Sequence, residues 1–218
     1  MAKSKSIASV PSRVTEGILV DIHASSPVER NGVVVAHRIQ MNLATMPVPE
    51  RQYSADCAGF LISEDFVRLF FAQRAFPGKG IQTLLTVKVS FQGIHQFQAA
   101  MESVAETSKG LLKEGNIAIP QLLDMGDSTW ALTDPQQVVT LEGNLLAASI
   151  AGRSACIDFY YASSFSLHAF QNGGEFRANP AVRVTLTMAL LMALYQGVEL
   201  KKHVIPSEII GELQNGRV

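Results

Sequence analysis

Two β-rich stretches open the chain, GILVDIH at 17–23 and GVVVAHRIQMNL at 32–43, with Glu29-Arg30-Asn31-Gly32 between them. Both residues of an Asn-Gly pair tolerate positive φ, so the pattern predicts a β-hairpin within an N-terminal unit spanning 15–51. Pro47-Val48-Pro49 then interrupts pairing, because proline has no N–H to give to a ladder. The clearest pattern follows, in a unit spanning 52–116. Three β-rich runs, YSADCAGFLIS, FVRLFFAQ and TLLTVKVSF, are separated by Glu64-Asp65 and by the turn-rich AFPGKG. They predict an antiparallel meander. Behind it Ile94, Phe97, Met101, Val104, Leu111 and Leu112 recur at helical spacing, while Gln92, His95, Gln96, Glu102, Glu106 and Lys109 take the opposite face. Gly115-Asn116 supplies a stop for this helix.

The pattern weakens over the connector at 117–151. Over 135–150 two readings stay open. Asp134-Pro135 with Gln137 suits a helix start, whereas the β-branched Val-Val-Thr-Leu run and Gly143 suit a strand. From 152 to 218 the earlier order returns: SACIDFYYAS and FSLHAFQ read as strands, NGGEFRANP as a turn region, and AVRVTLT as a strand running into a helix over MALLMALYQGVELKK. A short terminal helix is expected after Pro206-Ser207.

A shift of 99 residues sets Cys57 on Cys156, Phe60 on Phe159, Phe66 on Phe165 and Phe71 on Phe170. A shift of 97 sets Val87 and Val89 on Val184 and Leu186, and the stripe Ile94, Phe97 and Met101 on Leu191, Leu194 and Val198. The expectation is an internally duplicated α+β fold with two β-β-β-α units, antiparallel sheet, and helices packed on one side. A lone three-stranded sheet with one helix leaves edges unpaired, so two copies joined into one compact domain are favoured.

In the first unit, SEDFVRLFF followed by TVKVSFQGIHQFQAAMESV resembles a small bacterial domain family of uncharacterised function, in which an Asp-Phe strand precedes a second strand and a helix. The resemblance covers 53–106, and in the second unit Ser164 stands where Asp65 would be. It implies fold class and no chemistry.

Composition narrows the function classes. With 218 residues, 47% hydrophobic, 17% charged and a mean hydropathy of +0.17, the chain can bury a large core, which excludes a disordered tail or a disulfide-stapled miniprotein. A net charge of −1 supplies no general field for phosphate, so nucleic acid is not an expected partner. Nor is a membrane, because the longest apolar stretch, Val184 to Tyr195, is too short to span one. Cys57 and Cys156 are the only cysteines, as expected of a reducing cytoplasm. Residues 1–14 read as a flexible tail, with a transit peptide as the alternative because Lys3, Lys5 and Arg13 lie among serines.

Candidate chemistry is sparse. His23, His37, His95, His168 and His203 show no metal-ligand spacing, and no cofactor motif is present, so neither metal nor cofactor is expected. Gly78-Lys79-Gly80 lacks the remainder of a phosphate loop, and Gly152-Arg153-Ser154-Ala155-Cys156 departs from a nucleophile elbow at its last position. The aromatics Phe60, Phe66, Phe70, Phe71, Phe76, Phe159, Phe165 and Phe170 read as sheet core. Tyr160 and Tyr161 are adjacent and face opposite sides of a strand, making the outward one an interface candidate.

The favoured expectation is a non-enzymatic protein-binding or assembly module that acts through sheet edges and apolar helix faces, with self-association. Its alternative is an enzyme or small-molecule binder with a site between the two units, lined by His95, His168, Glu64, Asp65 and Arg183. A nucleic-acid surface would need the basic tail to meet Arg177, Arg183, Lys201 and Lys202. The connector carries acidic groups and no Lys or Arg, so Asp124 and Asp127 are the expected contacts of any charge-reading partner.

Overall fold

A computed structural model describes residues 17–30, 33–74, 80–123 and 138–205. The elements in order are β1 (Ile18–Leu19), β2 (Asp21–Arg30), β3 (Val33–Asn42), β4 (Gln52–Ser54), β5 (Cys57–Ile62), β6 (Phe66–Arg74), β7 (Ile81–Ser90), α1 (Phe91–Glu114), β8 (Val139–Gly143), β9 (Leu145–Ala151), β10 (Ser154–Tyr161), α2 (Ser164–Gln171), β11 (Arg177–Thr187) and α3 (Met188–Leu200). The class is α+β, and β2 and β3 pair antiparallel as the expected hairpin.

Two larger sheets carry the fold. One has the order β5-β6-β7-β8; in the other β9, β10 and β11 lie side by side, and both β1 and β4 pair with β11. Within each, three successive strands are antiparallel and the third runs straight into a helix. Ser90 and Thr187 make these transitions abrupt: each hydroxyl accepts from the backbone N–H three residues on, at 3.2 Å, capping α1 and α3. The strand that precedes each trio pairs with the other sheet. β4 lies parallel to β11, and β8 lies parallel to β7, so each sheet borrows its parallel strand from the neighbouring half.

One core is shared between them. Val67, Leu69 and Phe71 of β6, Leu85, Val87 and Val89 of β7, Ile157 and Phe159 of β10, and Val182 and Val184 of β11 meet the apolar stripes of α1 and α3. Two glycines permit the closest approaches. A Cβ on Gly93 of α1 would lie 3.0 Å from the Asn144 carbonyl oxygen, and one on Gly197 of α3 would lie 2.8 Å from the Phe60 ring. The helices therefore rest directly on the link between β8 and β9 and on β5.

Several expectations are corrected. FSLHAFQ is not a strand but α2, capped by Ser163, with Leu167 and Phe170 against a smaller core. A short apolar run fits either period, and here the cap and the packing of positions three apart select the helix. α2 packs with Val20, Met46, Tyr160 and Phe176, apart from the core that α1 and α3 enter, so the three helices do not share one side. The segment left open at 135–150 contains β8 and β9 from Val139 onward. Consequently the second trio begins at Leu145, not at 152. The shift of 99 sets β5 over β10 and Phe71 of β6 over Phe170 of α2, and so does not follow the topology, whereas the shift of 97 sets β7 over β11 and α1 over α3. The tail and the helix expected after Pro206 lie outside the described residues.

Asn144 locks the short link between the sheets. Its Oδ1 accepts from the Ala162 N–H at 2.8 Å, its Nδ2 donates to the Ala162 carbonyl at 2.7 Å, and its own N–H donates to the Tyr160 carbonyl at 3.0 Å. Ala162 is buried, so Asn144→Ala leaves two backbone groups without partners away from water. The expected loss is about 1–3 kcal/mol, read as a lower urea midpoint at unchanged slope.

Candidate functional site

A two-residue turn at Gly152-Arg153, with Gly152 at φ +60°, joins β9 to β10 and sets the register Ala151↔Ser154. In such a hairpin the closing pair is hydrogen-bonded and the bonding alternates from there. Ala151, Ser149, Ala147 and Leu145 therefore bond to β10, while Ile150, Ala148 and Leu146 turn their N–H and C=O groups away from it. Among the described residues β9 has a strand neighbour on one side only, and its sequence LLAASIA contains no charge, proline or glycine. Natural edges are blunted by such residues.

Other edges of the two larger sheets are managed. The β5 edge is met by Leu123, whose N–H donates to the Ala58 carbonyl at 2.9 Å. The far side of β11 is taken by β1 and β4. β8 is only five residues long and carries the exposed Glu142. β9 is thus the long, uncharged edge among the described residues.

The residues singled out by sequence fall on separate elements. Tyr160 is buried, and burial, reinforced by the Asp158 charge, pushes its phenol up to about 12. Tyr161 is the outward member, 36% exposed at the end of β10. Asp124 and Asp127 lie outside the described residues. His95, on α1, donates from its Nδ1–H to Gln98 Oε1 at 3.1 Å, and Gln98 Nε2 donates to Glu199 Oε1 of α3 at 2.8 Å. His168, on α2, is exposed and contacts Asn172 of its own helix end at 3.2 Å. Glu64 and Asp65 are exposed at the β5–β6 turn, which the Ser63 N–H closes by donating to the Phe66 carbonyl at 2.9 Å.

Arg183 has a structural partner. Its Nε and Nη2 donate to the two oxygens of Asp158, directly opposite on β10, both at 2.6 Å. That bond raises the guanidinium pKa further above its usual range. Two shallow hollows, of about 460 and about 430 Å³, open near Lys109–Ile119 and between Ser54, Arg74, Ser154 and Thr187. Neither is lined by any of the five junction candidates.

Nucleophile chemistry is disfavoured at Cys57, because burial, with Asp56 adding to it, raises the thiol pKa and keeps it protonated. Cys156 lies on β10 with its sulfur 3.0 Å from the Ser149 hydroxyl. Among the described residues no three His, Cys, Asp or Glu side chains gather as metal ligands, and no helix is long and apolar enough to cross a membrane. The β9 edge escaped sequence reading because 135–150 fits two periods. Its one sequence signal was the uncharged run between Glu142 and Arg153. No family model, curated protein or solved structure matches the chain.

Proposed function

We propose that the chain is a non-enzymatic assembly module that associates with a second copy of itself by pairing β9 with β9 across a two-fold axis. The observation that carries this reading is the single-sided pairing of β9, which α1 covers at Leu146 but which is partly exposed from Ala147 to Ala151. The strand is also self-complementary. An antiparallel pairing centred on Ala148 sets Leu146 opposite Ile150 and Ala147 opposite Ser149, with no charge facing a like charge. The N–H and C=O groups of Ala148, which face away from β10, would find partners in the other copy, and the β9–β10–β11 sheet would continue across the axis from the partly exposed end of β9.

Sedimentation or light scattering tests this. The expected wild-type mass is twice the 23.6 kDa of the chain. Ala148→Pro removes an edge-facing N–H without touching the bonds to β10, and is expected to give a monomer with unchanged far-ultraviolet dichroism. Ser149→Lys, at an exposed position, provides a second route to the monomer should proline impair folding. A wild-type chain that stays monomeric up to about 100 μM, far above the concentrations at which specific interfaces form, overturns the reading.

A further inference from the structure

The outward face of the β5–β8 sheet carries a different chemistry from its core side. On β6 the half-buried residues Phe66, Arg68 and Phe70 alternate with the buried Val67, Leu69 and Phe71. Register then lays out the neighbours. Arg68 sits opposite Leu61 of β5 and Lys88 of β7, and Phe70 sits opposite Thr86. The Thr86 hydroxyl in turn meets that of Thr140 on β8 at 2.9 Å.

Two cations directly opposite each other on an antiparallel pair repel, and such pairs destabilise a sheet. Among the described residues no carboxylate relieves this one: neither Arg68 nor Lys88 forms an ion pair there, although Glu142 is the register partner of Lys88. Arg68 Nε is buried without a hydrogen-bond partner. Both cations instead rest on one ring, with Arg68 Cζ 5.6 Å and Lys88 Nζ 5.1 Å from the Phe66 centroid. Leu61, beside Arg68, is 48% exposed. Among the described residues this cation pair, with Phe66 and Phe70 on either side of Arg68 along β6, has no anion paired with it.

We infer that this face, built on Phe66, Arg68, Phe70 and Lys88, binds a short single-stranded nucleic acid, its phosphates on the two cations and its bases against the two rings. A flat sheet suits an extended polymer better than a small molecule, which needs a concave site. Stacking on rings between cations is the general basis of sequence-tolerant single-strand binding. The footprint is short, because the exposed Glu64, Asp65 and Glu142 border it and repel further phosphates. This site is independent of the β9 pairing and stands or falls separately.

The test is fluorescence anisotropy with a labelled ten-nucleotide oligothymidylate and the full chain. Neutralising two phosphates of a single strand gives an expected slope of log affinity against log salt of about −1.4. Arg68→Gln with Lys88→Gln keeps the stems and is expected to weaken binding at least about tenfold and flatten that slope. Phe66→Leu is expected to weaken it by about 5- to 100-fold while leaving the slope in place. Urea midpoints of all variants report whether they fold. Absence of wild-type binding at low salt, an unchanged affinity in the Gln pair, or equal binding to a polyglutamate of matched length each overturns the inference, the last because charge alone would then suffice.

Discussion

Phe159→Ala is expected to lower the unfolding free energy by about 3–5 kcal/mol, a large share of the roughly 5–15 kcal/mol that holds a typical domain. Phe159 is fully buried on β10, and its ring meets that of Phe71 on β6 edge-on, with centroids 5.9 Å apart and planes at 67°. This is a contact between the two sheets, so truncation removes apolar burial and leaves a cavity where both halves of the fold meet. Neighbours cannot easily collapse into it, because Gly143 has no side chain and a Cβ there would already lie 3.2 Å from Phe159 Cβ. Equilibrium urea unfolding of Phe159→Ala, Phe71→Ala and the double variant gives the loss directly. It also gives a coupling energy, expected at about 0.5–1.5 kcal/mol for an edge-on aromatic pair. A loss below about 1 kcal/mol, the range of an ordinary substitution, would mean that the sheets do not share this core.

Asp158→Ala carries the next largest effect, about 2–4 kcal/mol. Removing one partner of a buried ion pair strands the other charge, at a general cost of about 3–5 kcal/mol. Here the Asp158 side chain is 11% exposed and that of Arg183 26%, so part of the cost is relieved by water reaching the guanidinium. Arg183→Met is expected to cost the same order, since it leaves the carboxylate with two empty acceptor sites beside the buried Tyr160. Replacing both, as Asp158→Val with Arg183→Met, is expected to recover much of either loss, because two apolar side chains leave nothing unpaired. The urea midpoints of the three variants decide this. Additive losses in the double variant would show that the two groups act separately and that the paired geometry contributes nothing.

The five junction residues expected from sequence lie on separate elements, and two of them have partners the sequence did not reveal. His95 was placed on the polar side of α1, where Gln98 and then Glu199 of α3 engage it in a contact between helices. Arg183 was one of several scattered cations, and only the β10–β11 register, Asp158↔Arg183, reveals it as half of an ion pair. Conversely, Phe66, Phe70, Arg68 and Lys88 were all visible as residues, yet the cations lie 20 positions apart in sequence. Their adjacency comes from the β6–β7 register, which no local pattern states. The same holds for β9, whose exposure as an edge depends on what lies beside it.

By itself the sequence determined the elements whose period is long and unambiguous: the N-terminal hairpin, the β5–β6–β7 meander, the amphipathic α1, and the run of β11 into α3. It also determined most of the inward face of α1, where Ile94, Phe97, Met101 and Leu112 are buried while Leu111 is exposed, since a stripe along a helix is a local consequence of backbone geometry. Only the tertiary structure decided that α2 is a helix, that β8 and β9 are strands, that β4 and β8 are exchanged between the sheets, and which edge stays open. These features rest on pairing between residues far apart in the chain. Periodicity encodes which face is buried but carries no information about which strand lies alongside.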